Sequence, residues 1–187
     1  MKKKILITGG AGYIGSHVVN NLIDSNYEIL VLDKLIFDSK SLSKLSNNNN
    51  LKIYSKDIRD YKSIEEYFEN VDTVIHLAAL VGEAACKISE KDTISINYEA
   101  TEEIVKICLK KNVKNFIFMS TASSYGVQDV NEIADENTKL NPVSLYAKTK
   151  IDCEQLLLSK YADDLRRCGI KRINISIDYI CITFFII

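Results

Sequence analysis

Two short segments carry residue types at spacings that could do chemistry. The first is Thr8-Gly9-Gly10-Ala11-Gly12-Tyr13-Ile14-Gly15, which reads as G-x-G-x-x-G from Gly10 and as G-x-x-G-x-x-G from Gly9. Glycine is required where a turn must be tight, where the main chain must approach an anion closely, and where a helix must pack on the preceding strand. The turn amides and the positive end of a following helix can then hold a pyrophosphate. Asp33 follows Gly15 by about 18 residues, the spacing at which a carboxylate accepts hydrogen bonds from a ribose 2′-hydroxyl and repels a 2′-phosphate. The pair of signals predicts a dinucleotide site that favours NAD over NADP, with Lys34, beside Asp33, pulling the other way.

The second segment is Tyr146-Ala147-Lys148-Thr149-Lys150. On a helix, Tyr146 and Lys150 stand one turn apart on the same face. A cation there is expected to favour the phenolate and lower the tyrosine pKa from about 10, which suits a general base. Y-x-x-x-K also recurs by chance. It gains weight from following Ser120-Thr121-Ala122-Ser123-Ser124-Tyr125-Gly126, a hydroxyl-rich stretch at the end of an apolar run.

The elements that must position these residues follow from hydrophobic patterning. Apolar runs at 4–8, 28–32, 51–54, 73–77, 115–119 and 173–177 are continuous rather than alternating, as in strands buried on both faces of a parallel sheet. Between them lie helical patterns at 13–25, 62–70, 97–112 and 145–167, the third with Ile104, Ile107 and Cys108 recurring among Glu and Lys. The rhythm predicts an α/β fold: a doubly wound parallel sheet, Rossmann-like, in a single domain spanning 1–187. Asn47 to Asn50 reads as a loop tip, and there is no internal repeat. His76, at the end of a buried run, reads as a positioned core residue rather than a base, and hydrogen bonding within strand or loop is the default for Ser120 and Ser124.

Composition narrows the class of function. The chain of 187 residues carries 24 Lys plus Arg against 25 Asp plus Glu, a net charge of -1, so no basic stripe is available and nucleic acid is not an expected partner. One Pro and seven Gly exclude collagen-like and disordered classes. The five cysteines, Cys86, Cys108, Cys153, Cys168 and Cys181, form no C-x-x-C pair, so no metal is expected and reduced thiols in a cytoplasmic protein are. The apolar stretch after Lys2 to Lys4 is too short for a secretory segment, and 173–187, interrupted by Asp178, falls short of the roughly 20 residues of a spanning helix. No membrane association is expected, and 173–187 reads as a buried strand running into an apolar tail.

In combination, the motifs resemble the extended short-chain dehydrogenase/reductase family, within it the NAD-dependent epimerase/dehydratase group that acts on nucleotide sugars. TGGAGYIG at 8–15, Asp33, DIRD at 57–60, HLAA at 76–79, Asn97, STASSYG at 120–126 and YAKTK at 146–150 fall in the family order and cover the chain to about residue 160. The resemblance implies a cofactor site built from Gly9, Gly12, Tyr13, Ile14, Gly15, Asp33 and Lys34. Asp57 and Ile58 are expected at the adenine, Leu77, Ala78 and Ala79 along the cofactor path, Asn97 near the active site, and Lys150 with Tyr146 at the nicotinamide ribose. It also implies a catalytic set of Thr121, Tyr146 and Lys150, with Thr121 and Ser123 meeting a nucleotide-sugar substrate.

The implied chemistry is epimerisation of the kind that interconverts UDP-glucose and UDP-galactose. Tyr146 takes a sugar hydroxyl proton as hydride passes to NAD, and hydride returns to the other face of the ketone. Family dehydratases carry an Asp-Glu pair after the active-site Thr, whereas this sequence has Ala122-Ser123, which argues for epimerisation or simple oxidoreduction over dehydration. The family pairs the helices corresponding to 97–112 and 145–167 in a homodimer. Its members continue after the sixth strand into a sugar-nucleotide domain. Here 171–187 reads KRINISIDYICITFFII. A chain lacking the substrate domain is therefore expected, its apolar tail an uncovered edge strand, and an NAD-binding module without turnover stands as the alternative to an enzyme.

Overall fold

The computed structural model describes residues 2–38, 40–127, 134–135, 137–161, 171–177 and 180–186. Strands β1 (Lys3–Thr8), β2 (Tyr27–Asp33), β3 (Leu51–Ser55), β4 (Thr73–His76) and β5 (Asn115–Met119) form a parallel sheet in the order β3-β2-β1-β4-β5. The apolar runs are continuous because both faces are covered. Along β1 and β2, Leu6, Leu30 and Leu32 enter one core layer while Ile5, Ile7, Ile29 and Val31 enter the other. β4 and β5 divide the same way: Val74, Phe116 and Phe118 face the first layer, Ile75 and Ile117 the second. Each fully buried aliphatic or aromatic side chain contributes roughly 1.5–3 kcal/mol, so this alternation fixes the register of every strand.

Helix α1 (Tyr13–Leu22) and a 3₁₀ segment at Lys40–Leu45 cover the second layer, through Val19 and Leu42. The first layer lies under α2 (Tyr61–Ile64) with its 3₁₀ continuation Glu65–Phe68, α5 (Ala100–Lys110) and α6 (Leu145–Lys160). Two short helices that patterning did not suggest, α3 (Glu83–Ile88) and α4 (Glu90–Ile94), precede α5, and a π-helical turn at Ser95–Glu99 joins α4 to it. A local signal for α4 exists in Ser-Glu-Lys-Asp, since the Ser89 hydroxyl caps the helix by accepting from Asp92 N at 3.1 Å. The expected helix at 145–167 is observed as far as Lys160, and 162–170 lie outside the described residues.

The C-terminal segment departs from expectation. Strand β6 (Lys171–Ile177) does not pair with β5; β7 (Ile180–Ile186) lies between them, antiparallel to both, with Phe118 opposite Phe185 and Ile175 opposite Ile182. The tail expected at an edge is thus an inner strand, and β6 forms the edge. Only residues 178 and 179 separate the two strands, too few for the crossover a parallel pair needs, so the chain returns antiparallel.

No helix among the described residues is long and apolar enough to cross a membrane.

Candidate functional site

Strand order reverses between β1 and β4, and the crevice outside their carboxyl ends is where doubly wound sheets bind ligands. The glycine turn occupies the β1 side of that crevice. Gly9 adopts φ +71°, a conformation that favours glycine, and a Cβ there would stand 2.7 Å from Ala78 N. A Cβ on Gly15 would stand 2.2 Å from Gly9 O, so α1 starts hard against the turn. Gly12 differs: its backbone is unstrained at φ −70°, and an added Cβ would meet only Gly9 O, at 3.3 Å. Gly12 is also the N-cap of α1, which has no side-chain cap and no acidic residue in its first turn. Tyr13 and Ile14, both exposed, open this helix, whose positive end is therefore available to an anion. The cradle and its donors fit a pyrophosphate.

Asp33 ends β2 beside this turn. Its carboxylate accepts from Ala11 N at 3.0 Å and from Leu35 N at 2.7 Å, which ties the β2 exit to the glycine loop. Across the gap to β3, Lys56 N donates to Asp33 O at 2.9 Å. Asp57 follows, gripped by Arg59 through Nε at 3.0 Å and Nη2 at 2.7 Å, and by Lys34 Nζ at 2.9 Å. The Arg59 guanidinium, joined by Lys34, holds the Asp57 carboxyl well below the usual carboxylate range. Arg59 Nη1 also reaches Asp92 at 2.7 Å, anchoring the loop to α4. The Ile58 side chain is buried in the first core layer, so only its main chain can face a ligand.

Leu77, Ala78 and Ala79 leave β4 as half-buried main chain, held from both sides. Leu77 N donates to Thr8 O at 3.1 Å and Ala78 N to the Thr8 hydroxyl at 3.2 Å. Asn97, in the π-turn, accepts from Leu80 N at 2.7 Å and donates to Leu80 O at 3.0 Å and to the Thr149 hydroxyl at 3.3 Å. Asn97 is 1% exposed, so it clamps the segment after β4 rather than presenting itself to the crevice.

His76 ties these pieces together. The Thr101 hydroxyl donates to Asn97 O at 2.7 Å, so it can only accept from His76 Nε2–H, at 2.9 Å. His76 Nδ1 is then the acceptor for the Thr8 hydroxyl at 2.7 Å. This fixes the neutral Nε2–H tautomer, and complete burial pushes the imidazole pKa down to about 3. The core reading of His76 holds.

On the other side of the crevice, α6 carries Tyr146 and Lys150. Ser144 caps the helix by accepting from Ala147 N at 3.1 Å. Tyr146, half-buried, lies beside the side chain of Thr121 just beyond β5. Lys150 is 3% exposed, donates to Met119 O at 2.9 Å, and lies 4.5 Å from the Phe118 ring centre and 5.9 Å from that of Tyr146. Burial lowers the Lys150 pKa to about 8. The expected depression of the Tyr146 pKa is not found. Burial raises it, only partly offset by the neighbouring Thr121 side chain, because the Lys150 ammonium points to Met119 O and the ring face instead of the phenolic oxygen. Thr121 also caps the 3₁₀ turn Ala122–Tyr125, accepting from Ser123 N at 3.2 Å, which leaves the Ser123 side chain exposed. Ser120 donates to Glu154, and Ser124 to Thr121 O. Among the described residues no group of three or more His, Cys, Asp and Glu could hold a metal ion.

Sheet order, glycine turn and crevice define a protein of the doubly wound, Rossmann-like class. A family model described as "NAD dependent epimerase/dehydratase family" matches residues 5–173, and the chain belongs to that family. It is 34% identical over 170 residues to UDP-glucose 4-epimerase of Bacillus subtilis, covering 86% of this chain and 48% of that protein. It is also 34% identical over 180 residues to dTDP-D-glucose 4,6-dehydratase of Dictyostelium discoideum, covering 85% and 40% respectively. Among solved structures, Thermus thermophilus UDP-glucose 4-epimerase complexed with NAD matches with a TM-score of 0.76 at 28% identity, over 86% of this chain and 51% of that one. The chain thus spans about half the length of these relatives.

Proposed function

We propose that the chain is the NAD-binding part of a nucleotide-sugar epimerase of the UDP-glucose 4-epimerase type. The feature that carries this reading is the convergence of Tyr146, Thr121 and, one helical turn on, Lys150 at the carboxyl end of β5. Gly9 and Gly12 let the main chain approach the pyrophosphate, the amides of Tyr13, Ile14 and Gly15 donate to it, and Asp33 receives the adenosine ribose. Asp57 and the Ile58 main chain border the adenine, and Leu77, Ala78 and Ala79, kept in line by Asn97, border the cofactor path. When bound, NAD supplies the hydride acceptor and donor. Tyr146 takes the proton of the reacting sugar hydroxyl, which Thr121 orients, and returns it at the end of the cycle. Lys150 moves from Met119 O toward the nicotinamide ribose and the phenolic oxygen, and Ser123 meets the sugar. Ala122-Ser123 offers no acid-base pair of the sort that expels water, which favours epimerisation over dehydration. Residues 1–187 act as one domain in a cytoplasmic homodimer that pairs through α5 and α6.

The test is calorimetric titration of the chain with NAD and NADP, followed by an assay of UDP-glucose and UDP-galactose interconversion. Tight NAD binding and conversion that Tyr146→Phe abolishes are expected. The alternative reading is a module that binds NAD without turnover. NAD binding without conversion would select it, and a chain that binds no dinucleotide would overturn both.

A further inference from the structure

Two opposed signals stand side by side at the end of β2: Asp33, which suits a ribose 2′-hydroxyl, and Lys34, a cation of the kind that greets a 2′-phosphate. The structure gives them different surroundings. Asp33 is fixed by Ala11 N and Leu35 N at the glycine loop. Lys34 is drawn across to the exit of β3, where its Nζ lies 2.9 Å from Asp57 Oδ2. The next lysine along the chain, Lys40, carries a carboxylate as well, with Nζ 3.0 Å from Asp38 Oδ2.

Resting on the dinucleotide reading above, we infer that the Lys34–Asp57 ion pair is a selectivity lock that withholds the Lys34 ammonium from the adenosine ribose and so makes the site reject a 2′-phosphate. An exposed ion pair between two free side chains would be too weak and mobile to do this. Asp57 is not free: Arg59 holds it bidentately, and Asp92 holds Arg59 from α4. The carboxylate is thus a fixed post to which Lys34, half-exposed and flexible, is tethered. Asp33 supplies the repulsion, and Asp57 removes the charge that would have offset it.

The lock is tested by titrating NAD and NADP into the full chain and three variants, Asp57→Asn, Lys34→Ala and the double variant, with thermal melts alongside. The readout is the ratio of the two affinities, which cancels any loss common to both ligands. Asp57→Asn should move the ratio toward NADP by about tenfold, the scale of one charge-assisted contact. The double variant should return to within about threefold of the wild-type ratio, since Lys34 is the group released. Lys34→Ala alone should leave the ratio unchanged, because its charge is already engaged, and this arm stands even where Asp57→Asn fails to fold. An unchanged ratio in a folded Asp57→Asn that still binds NAD overturns the lock, as does a gain that persists in the double variant. A fivefold or greater relative loss of NADP in Lys34→Ala, which would make Lys34 a direct phosphate ligand, also overturns it. A wild-type chain that binds neither dinucleotide removes the underlying reading, and the lock with it.

Discussion

Lys150 stands one turn beyond Tyr146 on α6, yet its ammonium donates to Met119 O and sits 5.9 Å from the centre of the Tyr146 ring. The ammonium thus makes its hydrogen bond to a main-chain carbonyl and leaves the Tyr146 phenol to its half-buried surroundings. In the ligand-free protein, therefore, the Tyr146 phenol should titrate above the usual value of about 10 in an ultraviolet difference spectrum against Tyr146→Phe. A midpoint at or below 9 would mean that the Lys150 charge already reaches the phenolate. The same arrangement burdens the fold. With Lys150 at about 8 when folded and near 10.5 when unfolded, the unfolded chain binds the extra proton between those values, so Lys150 makes stability rise as the pH climbs through that window. Denaturant midpoints of wild type and Lys150→Met between pH 7 and 10.5 should converge. Parallel curves would deny that Lys150 is a buried charge.

His76 gives a linkage at the acid end. Its folded pKa of about 3 lies below the unfolded value of 6.5, so its contribution is complete above pH 6.5 and is lost as the pH falls toward 3. His76→Leu should remove that acid sensitivity and cost about 2 kcal/mol at neutral pH, because the Thr8 hydroxyl loses its acceptor in the core. Urea unfolding at pH 7 and pH 5 checks both halves. A variant as stable as wild type at pH 7 would show the relay to be incidental.

Gly12 and Gly15 should fail differently. Gly15→Ala drives a Cβ to 2.2 Å from Gly9 O, where neither partner can yield, and a fall in Tm of roughly 10 °C or more is expected. Gly12→Ala meets Gly9 O at 3.3 Å from an ordinary backbone conformation, so its Tm should stay within about 3 °C of wild type. Its NAD affinity should nevertheless drop at least tenfold, because the new methyl occupies the anion cradle. Equal Tm losses in the two variants, or unimpaired NAD binding by Gly12→Ala, would contradict the division between a structural and a ligand-facing glycine.

Asn97 answers both polar groups of the Leu80 main chain, its carboxamide oxygen accepting from Leu80 N and its NH2 donating to Leu80 O. Asn97→Ala is expected to destabilise the chain by about 2–3 kcal/mol and to speed amide exchange at Leu80. Asn97→Asp should fare no better, since it sets a carboxylate oxygen against Leu80 O. An aspartate variant with wild-type stability would break the clamp argument.

Local features were legible in the sequence. The five parallel strands and α1 follow from runs such as Ile5 to Thr8 and, after β1, from the glycines that end the run, because those signals act between residues close along the chain. The apolar tail suggests an edge strand, whereas β7 lies between β5 and β6, since nothing in its apolar character says which neighbour it pairs with. The clamp of Asn97 on Leu80 is not legible in the sequence, because the π-turn that aims it has no local signature.

What the sequence determined by itself is the parallel core, the glycine cradle and the placing of Tyr146 and Lys150 on one helical face, all consequences of period and spacing. Tertiary structure alone decided where charges and protons go: Lys150 to Met119 O, Lys34 to Asp57, and the His76 proton to Thr101. Those choices depend on which partner lies within about 3 Å after folding, across gaps of 23, 25 and 31 residues. Spacing cannot specify contacts between residues that far apart.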